Sequence, residues 1–141
     1  MEHHLTTYIT HDTLISALGF GTQENLEAIR SYHSGITLQT DKRIADTPLL
    51  AATLSQERLQ QQAEAIGVSG YPRMEQLFIL TINELIRQSG QTLEDKTCGL
   101  ILSTTKGNID LLTRHTEHPD EAVFLWKMAE NIAGYFHAEE R

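Results

Sequence analysis

The clearest pattern lies between residues 73 and 89, where Met74, Leu77, Phe78, Ile79, Leu80, Ile82, Leu85 and Ile86 recur at helical spacing and polar residues remain mainly at 75, 76, 83, 84, 87 and 88. That predicts a helix apolar over most of its circumference, buried between layers and stopped by Gly90. Residues 97–103 form a continuous apolar run, the pattern of a strand covered on both faces. After a long loop, residues 119–136 predict a helix with Pro119 at its first position and Asp120 and Glu121 in its first turn, where the helix dipole favours acids. Its inward stripe is Ala122, Leu125, Trp126, Ala129, Ile132, Ala133 and Phe136.

The N-terminal half reads less sharply. Thr7-Tyr8-Ile9-Thr10 is a β-prone run and the expected first strand. Residues 12–21 are loop-like, with Gly19 and Gly21. Thr22 suits the cap of a helix reaching about Tyr32, with Leu26, Ile29 and Tyr32 turned inward and His33-Ser34-Gly35 as its stop. Residues 36–40 and 49–54 read as two short strands. Ser55 caps a polar helix that ends at Gly67, and residues 67–72 (GVSGYP) form a turn cluster.

Strand, helix, irregular piece, two helices, buried strand and helix make an α/β order. The sheet is incomplete. A central strand covered on both sides needs neighbours, and the last helix should return by a right-handed crossover to a third parallel strand beyond Arg141.

Composition narrows the function classes. A chain of 141 residues and 15.9 kDa is expected to form one domain, and 40% apolar residues argue against disorder. No apolar run approaches the ~18 residues of a membrane span. Met1-Glu2-His3-His4 does not open a signal peptide, because no basic start and apolar stretch follow. A net charge of −8 and a pI near 5.3 argue against nucleic acid, whose binding needs a basic surface. The single cysteine, Cys98, precludes an internal disulfide, so the cytoplasm is the expected compartment.

Residues 103–112 read STTKGNIDLL, and a strand emptying into such a loop suggests a phosphate cradle. The nucleotide loop, however, needs G-x-x-x-x-G-K-[ST], with several glycine N–H groups facing the phosphates. Here the one glycine, Gly107, follows Lys106. His115-Thr116-Glu117-His118 with Asp120 and Glu121 could suggest a metal, but the zinc peptidase pattern places its histidines four apart on a helix. Cys98 has no helix N-terminus to make it a thiolate and reads as a small buried hydrophobe. His11 and Asp12 lack a nucleophile beside them. No pattern calls for a cofactor or metal.

Taken in order, these segments resemble the N-terminal part of the β-ketoacyl-[acyl carrier protein] synthases, in a divergent branch. Tyr8-Ile9-Thr10 followed by Leu14-Ile15-Ser16-Ala17-Leu18-Gly19 resembles the family's first strand and V-T-P-L-G turn, with Ala17 in place of Pro. Asn25-Leu26 and Ser34-Gly35-Ile36 resemble its first helix and G-x-S-G-I close. Glu84-Leu85-Ile86-Arg87-Gln88-Ser89-Gly90 is similar to its E-A-L-x-x-A-G. Gly99-Leu100-Ile101-Leu102-Ser103 resembles the strand G-v-i-i-G, and Asn131-Ile132-Ala133-Gly134 the N-x-x-A-G before the catalytic strand.

The resemblance implies a thiolase-like fold, here only its N-terminal part. It implies Claisen condensation of an acyl thioester with a malonyl-type extender on acyl carrier protein, in fatty acid or polyketide-type synthesis, by a homodimer. It places residues 104–112 beside the acyl pocket, with Thr104, Thr105, Gly107, Ile109 and Leu112 as substrate-binding positions and Lys106 toward solvent. The family's nucleophile sits in a T-A-C-[AS]-[ST]-G-like elbow, and its two histidines lie further on. None of these lies within the 141 residues, so the chain alone is expected to be inactive, the N-terminal third of a longer enzyme. Carrier-protein docking is expected elsewhere, since the chain is acidic and only Arg30, Lys42 and Arg43 offer a basic patch. The alternatives are a non-catalytic interaction module on the same framework and an unrelated small α/β domain.

Overall fold

A computed structural model describes residues 6–94, 96–112 and 120–138. Its helices begin and end where local chemistry dictates. In α1 (Thr22–Arg30), Thr22 is the first helical residue after Gly21 and not the cap itself. Ser55 caps α2 (Gln56–Ala65), its hydroxyl accepting the Arg58 backbone N–H at 3.2 Å. α3 (Arg73–Ser89) follows Pro72 and ends at Gly90, whose left-handed φ of 68° lets its N–H reach the Ile86 carbonyl. α4 (Leu125–Tyr135) is preceded by a 3-10 turn, Glu121–Val123, whose first N–H groups are served by Asp120.

Among the described residues these four helices accompany two small antiparallel sheets. β1 (Ile15–Ser16) and β2 (Gly19–Phe20) form a minimal hairpin, and β3 (Ile36–Gln39) pairs with β4 (Leu49–Ala52), Ile36 opposite Ala52 and Gln39 opposite Leu49. The chain is therefore mixed α/β, with the two mid-chain strands where the sequence puts them. Residues 7–10 form no strand, and Ile9 is 93% exposed. No parallel strands pair among the described residues.

The core gathers on α3. Ile79 is fully buried with Ala63 of α2, Val68 of the turn cluster, and Met128 and Ile132 of α4. Met74, Phe78, Ile82, Leu100 and Leu102 close around them. Only Glu75 and Ile79 of α3 are buried outright, so the helix is half-covered on its remaining faces and not enclosed on all of them.

Three further expectations are corrected. The inward stripe of α1 is exposed: Leu26 and Ile29 face out and Tyr32 is 98% accessible. Asn25 is buried instead, its amide donating to the Gly19 carbonyl at 3.0 Å and the Gly21 carbonyl at 2.8 Å. Polar pinning to the hairpin turns have thus set the face of this helix. Residues 97–103 are not a strand; Leu100 and Leu102 pack on the core while Ile101 is 94% exposed. Only one face is covered because, among the described residues, no neighbouring strand lies on the other. The last helix starts at Leu125, which directs Met128 and Ile132 inward and leaves Leu125 and Trp126 exposed. The cluster His115 to His118 and the expected helix start at Pro119 lie outside the described residues.

A carboxylate joins the hairpin to α2. Glu24 accepts the Phe20 backbone N–H at 2.7 Å, and both its oxygens meet the Arg58 guanidinium, at 2.6 and 3.1 Å. Arg58 also lies over the Phe20 ring, 4.8 Å from its centroid. No described helix is long and apolar enough to cross a membrane.

Candidate functional site

The segment that enters the loop alternates as a strand does. From 98 to 104, half-buried and exposed residues follow one another without a break. The loop then turns on one hydroxyl: Thr104 Oγ1 accepts the backbone N–H of Lys106 at 3.2 Å and of Gly107 at 3.0 Å. Those two donors would have to face a phosphate in a cradle. They are already engaged, so the loop is not built as one.

Gly107 is buried with φ 56°, in the region that favours glycine. A Cβ there would come 2.6 Å from Leu125 Cδ2. Gly107→Ala should therefore cost about 1–3 kcal/mol, combining backbone strain with displacement of Leu125. Urea unfolding of Gly107→Ala, Leu125→Ala and the double variant checks this. The double variant should recover the steric part and keep the backbone part, giving a non-zero coupling between the sites.

Asn108 fastens the loop beneath. It is fully buried, and its amide donates to Glu75 Oε1 at 2.7 Å and to the Ala122 carbonyl at 2.8 Å. Glu75, in the first turn of α3, is also fully buried and accepts from the Asn131 amide of α4 at 3.3 and 3.2 Å. Burial pushes the Glu75 carboxyl above its ordinary range, while the Asn108 and Asn131 amides and the charge of Lys127 oppose that rise. Asn108 Oδ1 is buried without a hydrogen-bond partner. One carboxylate thus holds the loop, α3 and α4 in a common position.

Beside the loop a groove of about 980 Å³ opens between residues 98–104 and α4. Leu100, Leu102 and Thr104 line one side, and Leu125, Met128 and Ala129 the other. Cys98 lines it half-buried, with Lys96 and Glu130 as its charged residues. Glu130 is engaged with Lys127 at 2.6 Å. The wall offers apolar contact and no assembled set of acid, base and nucleophile.

Of the expected substrate-binding positions, only Thr104 lines this groove. Thr105 is exposed in the turn, Gly107 is packed under Leu125, and Ile109 and Leu112 are exposed at the two ends of a 3-10 turn, Ile109–Leu111. Lys106 is exposed. Glu75, Asn108 and Asn131 escaped the sequence reading. The available signal was a carboxylate in the first turn of a helix otherwise rich in apolar residues. Among the described residues no cluster of His, Cys, Asp and Glu is arranged to hold a metal.

Compared with protein-family models, curated proteins and solved structures, the chain finds no match.

Proposed function

We propose that this chain supplies an acyl-binding wall of a condensing enzyme of the β-ketoacyl-[acyl carrier protein] synthase type, with a thiolase-like fold. In that chemistry a cysteine thiolate takes the acyl group from a thioester, and a malonyl-type extender loses carbon dioxide. The resulting carbanion attacks the acyl carbonyl and releases the cysteine. The observation that carries the reading is the anchored loop: a strand-like apolar segment runs into a turn locked from below by Asn108 and Glu75, beside an apolar groove. Such a wall suits an alkyl chain. Cys98 is not the nucleophile in this reading, because it has no base or helix N-terminus to activate it. The acidic carrier protein docks outside this segment, since Arg43 is already tied to Asp41 through both oxygens.

Binding of fluorescent acyl thioethers of increasing chain length is the test. Affinity should rise with chain length and fall at least about tenfold, roughly 1.4 kcal/mol, when Ala129→Trp fills the groove. Equal weak binding at every length would overturn the assignment. Covalent acylation of Cys98, with formation of a new carbon–carbon bond by this chain, would overturn the placement of the nucleophile.

A further inference from the structure

The buried carboxyl of Glu75 and the orphan oxygen of Asn108 sit in one side-chain pair. The Asn108 amide nitrogen faces two acceptors, Glu75 Oε1 at 2.7 Å and the Ala122 carbonyl at 2.8 Å. Its oxygen is buried and, among the described residues, accepts nothing. This arrangement suits a carboxylate, whose oxygens only accept. A neutral carboxyl carries an O–H that must donate, and the amides of Asn108 and Asn131 turned toward it are donors themselves. The unused acceptor in the cluster is Asn108 Oδ1.

We propose that Glu75 and Asn108 form a two-position latch, which ties the head of α4 to α3 while the carboxyl is charged and releases it when the carboxyl takes up a proton. The proton from solvent goes onto one carboxyl oxygen. A half-turn of the Asn108 amide about its Cβ–Cγ bond then presents Oδ1 to that O–H and satisfies it. The same half-turn sets Oδ1 against the Ala122 carbonyl, acceptor on acceptor, so Ala122 loses its tie. The loop stays fastened to α3 through Asn108, and the 3-10 turn Glu121–Val123 lifts away. Met128 and Ile132 remain in the core, which confines the movement to residues 120–126. Leu125 lies in that stretch, lines the groove and rests on Gly107. Its departure widens the groove at the Thr104 end. The freed carbonyl and the turned amide take up water.

Three elements surround the carboxyl. The loop brings Asn108, the 3-10 turn brings the Ala122 carbonyl, and α4 brings Asn131 and the charge of Lys127. Lys127 is paired with Glu130 at 2.6 Å and also feels Glu121, so its hold on the Glu75 charge is shared. Burial prevails over these influences and raises the carboxyl. Release therefore comes in milder acid than an exposed glutamate would need.

The latch concerns the groove whatever occupies it, so it does not rest on the acyl-binding reading, and the probe is the proton alone. NMR of the 141-residue chain, with isotope-labelled glutamate carboxyls, follows the titration. The Glu75 carboxyl should titrate above the ordinary glutamate range. The Asn108 side-chain amide and the backbone amides of residues 121–126 should shift with the same midpoint. The nuclear Overhauser contact between Gly107 Hα and the Leu125 methyls should be present above that midpoint and lost below it. Glu75→Gln carries a neutral side chain with an N–H donor, so it should hold the acid-form signals at every pH. Asn131→Ala removes a donor that favours the charged form and should move the whole transition to higher pH, a shift that a merely structural tie would not produce. The proposal is overturned if Glu75 titrates while residues 121–126 stay in place, or if their transition survives unchanged in Glu75→Gln. It is also overturned if Glu75 keeps its charge until the chain unfolds. Where Glu75→Gln does not fold, Asn131→Ala decides alone, and an unmoved midpoint sinks the latch.

Discussion

Glu75→Ala should lower the unfolding free energy by about 2–4 kcal/mol, because it leaves buried donors without an acceptor. The Asn108 amide would keep only the Ala122 carbonyl, and the Asn131 amide would lose both contacts it makes with Glu75. The vacated volume lies at a fully buried position between α3, the loop and α4, where water enters only with new partners. Glu75→Gln keeps the volume but turns one acceptor into a donor that faces donors, so it should also destabilise at pH 7. Urea titration of both variants checks the magnitude. A loss below about 0.5 kcal/mol, typical of surface substitutions, would mean that the carboxylate does not hold the loop.

The same residue has a pH signature of unusual sign. Its carboxyl is raised, chiefly by burial, so the folded chain keeps this proton to higher pH than the unfolded chain does. Between the unfolded value and the raised folded one, the folded state binds more protons, and the contribution of Glu75 to stability falls as pH rises. The ion-paired carboxyls act in the opposite sense. Arg87 draws Glu84, and Arg43 draws Asp41, down to about 2. What they contribute is present above the ordinary carboxyl range and is lost as pH falls toward that value. Subtracting the stability profile of Glu75→Gln from that of the wild type isolates the rising limb on acidification.

Ile79→Ala should cost about 2–5 kcal/mol, the range for emptying a well-packed aliphatic site. Ile79 is fully buried at the point where α2, α3 and α4 meet, against Val68, Met128 and Ile132. Because α3 touches both other helices, collapse of the cavity would have to move two packed elements at once, which places the cost toward the upper part of that range. Trp126→Ala, at an exposed position on α4, should stay within about 0.5 kcal/mol. Equal losses at the two positions would show that the core is not centred on α3.

The sequence was most legible where one rule governs. Helical spacing and Gly90 delimit α3 at Arg73–Ser89. Ser55 and Gly67 bracket α2, and β-prone runs between turn residues mark β3 and β4. Reading failed where hydrogen bonds override hydrophobic spacing. Leu26 and Ile29 have the spacing of an inward face, but Asn25 reaches two hairpin carbonyls and rotates α1 about them. The run from 97 to 103 is apolar throughout, a pattern that does not reveal that one face is left in water. The polar centre was the least accessible. Glu75 meets Asn108 and Asn131 across 33 and 56 residues, and nothing in local spacing encodes such a meeting. The acyl-binding role still rests on the order of the motifs and on the groove beside the loop.

The Glu24 carboxylate bears on how the molecule opens. Because it receives the hairpin backbone at Phe20 and the Arg58 side chain at once, Glu24 keeps the hairpin joined to α1, and the two lift from α2 as one unit when the contact with Arg58 breaks. Fraying there is therefore an all-or-none event, and amide exchange across residues 15–30 should follow a single opening free energy instead of a gradient from the chain end inward.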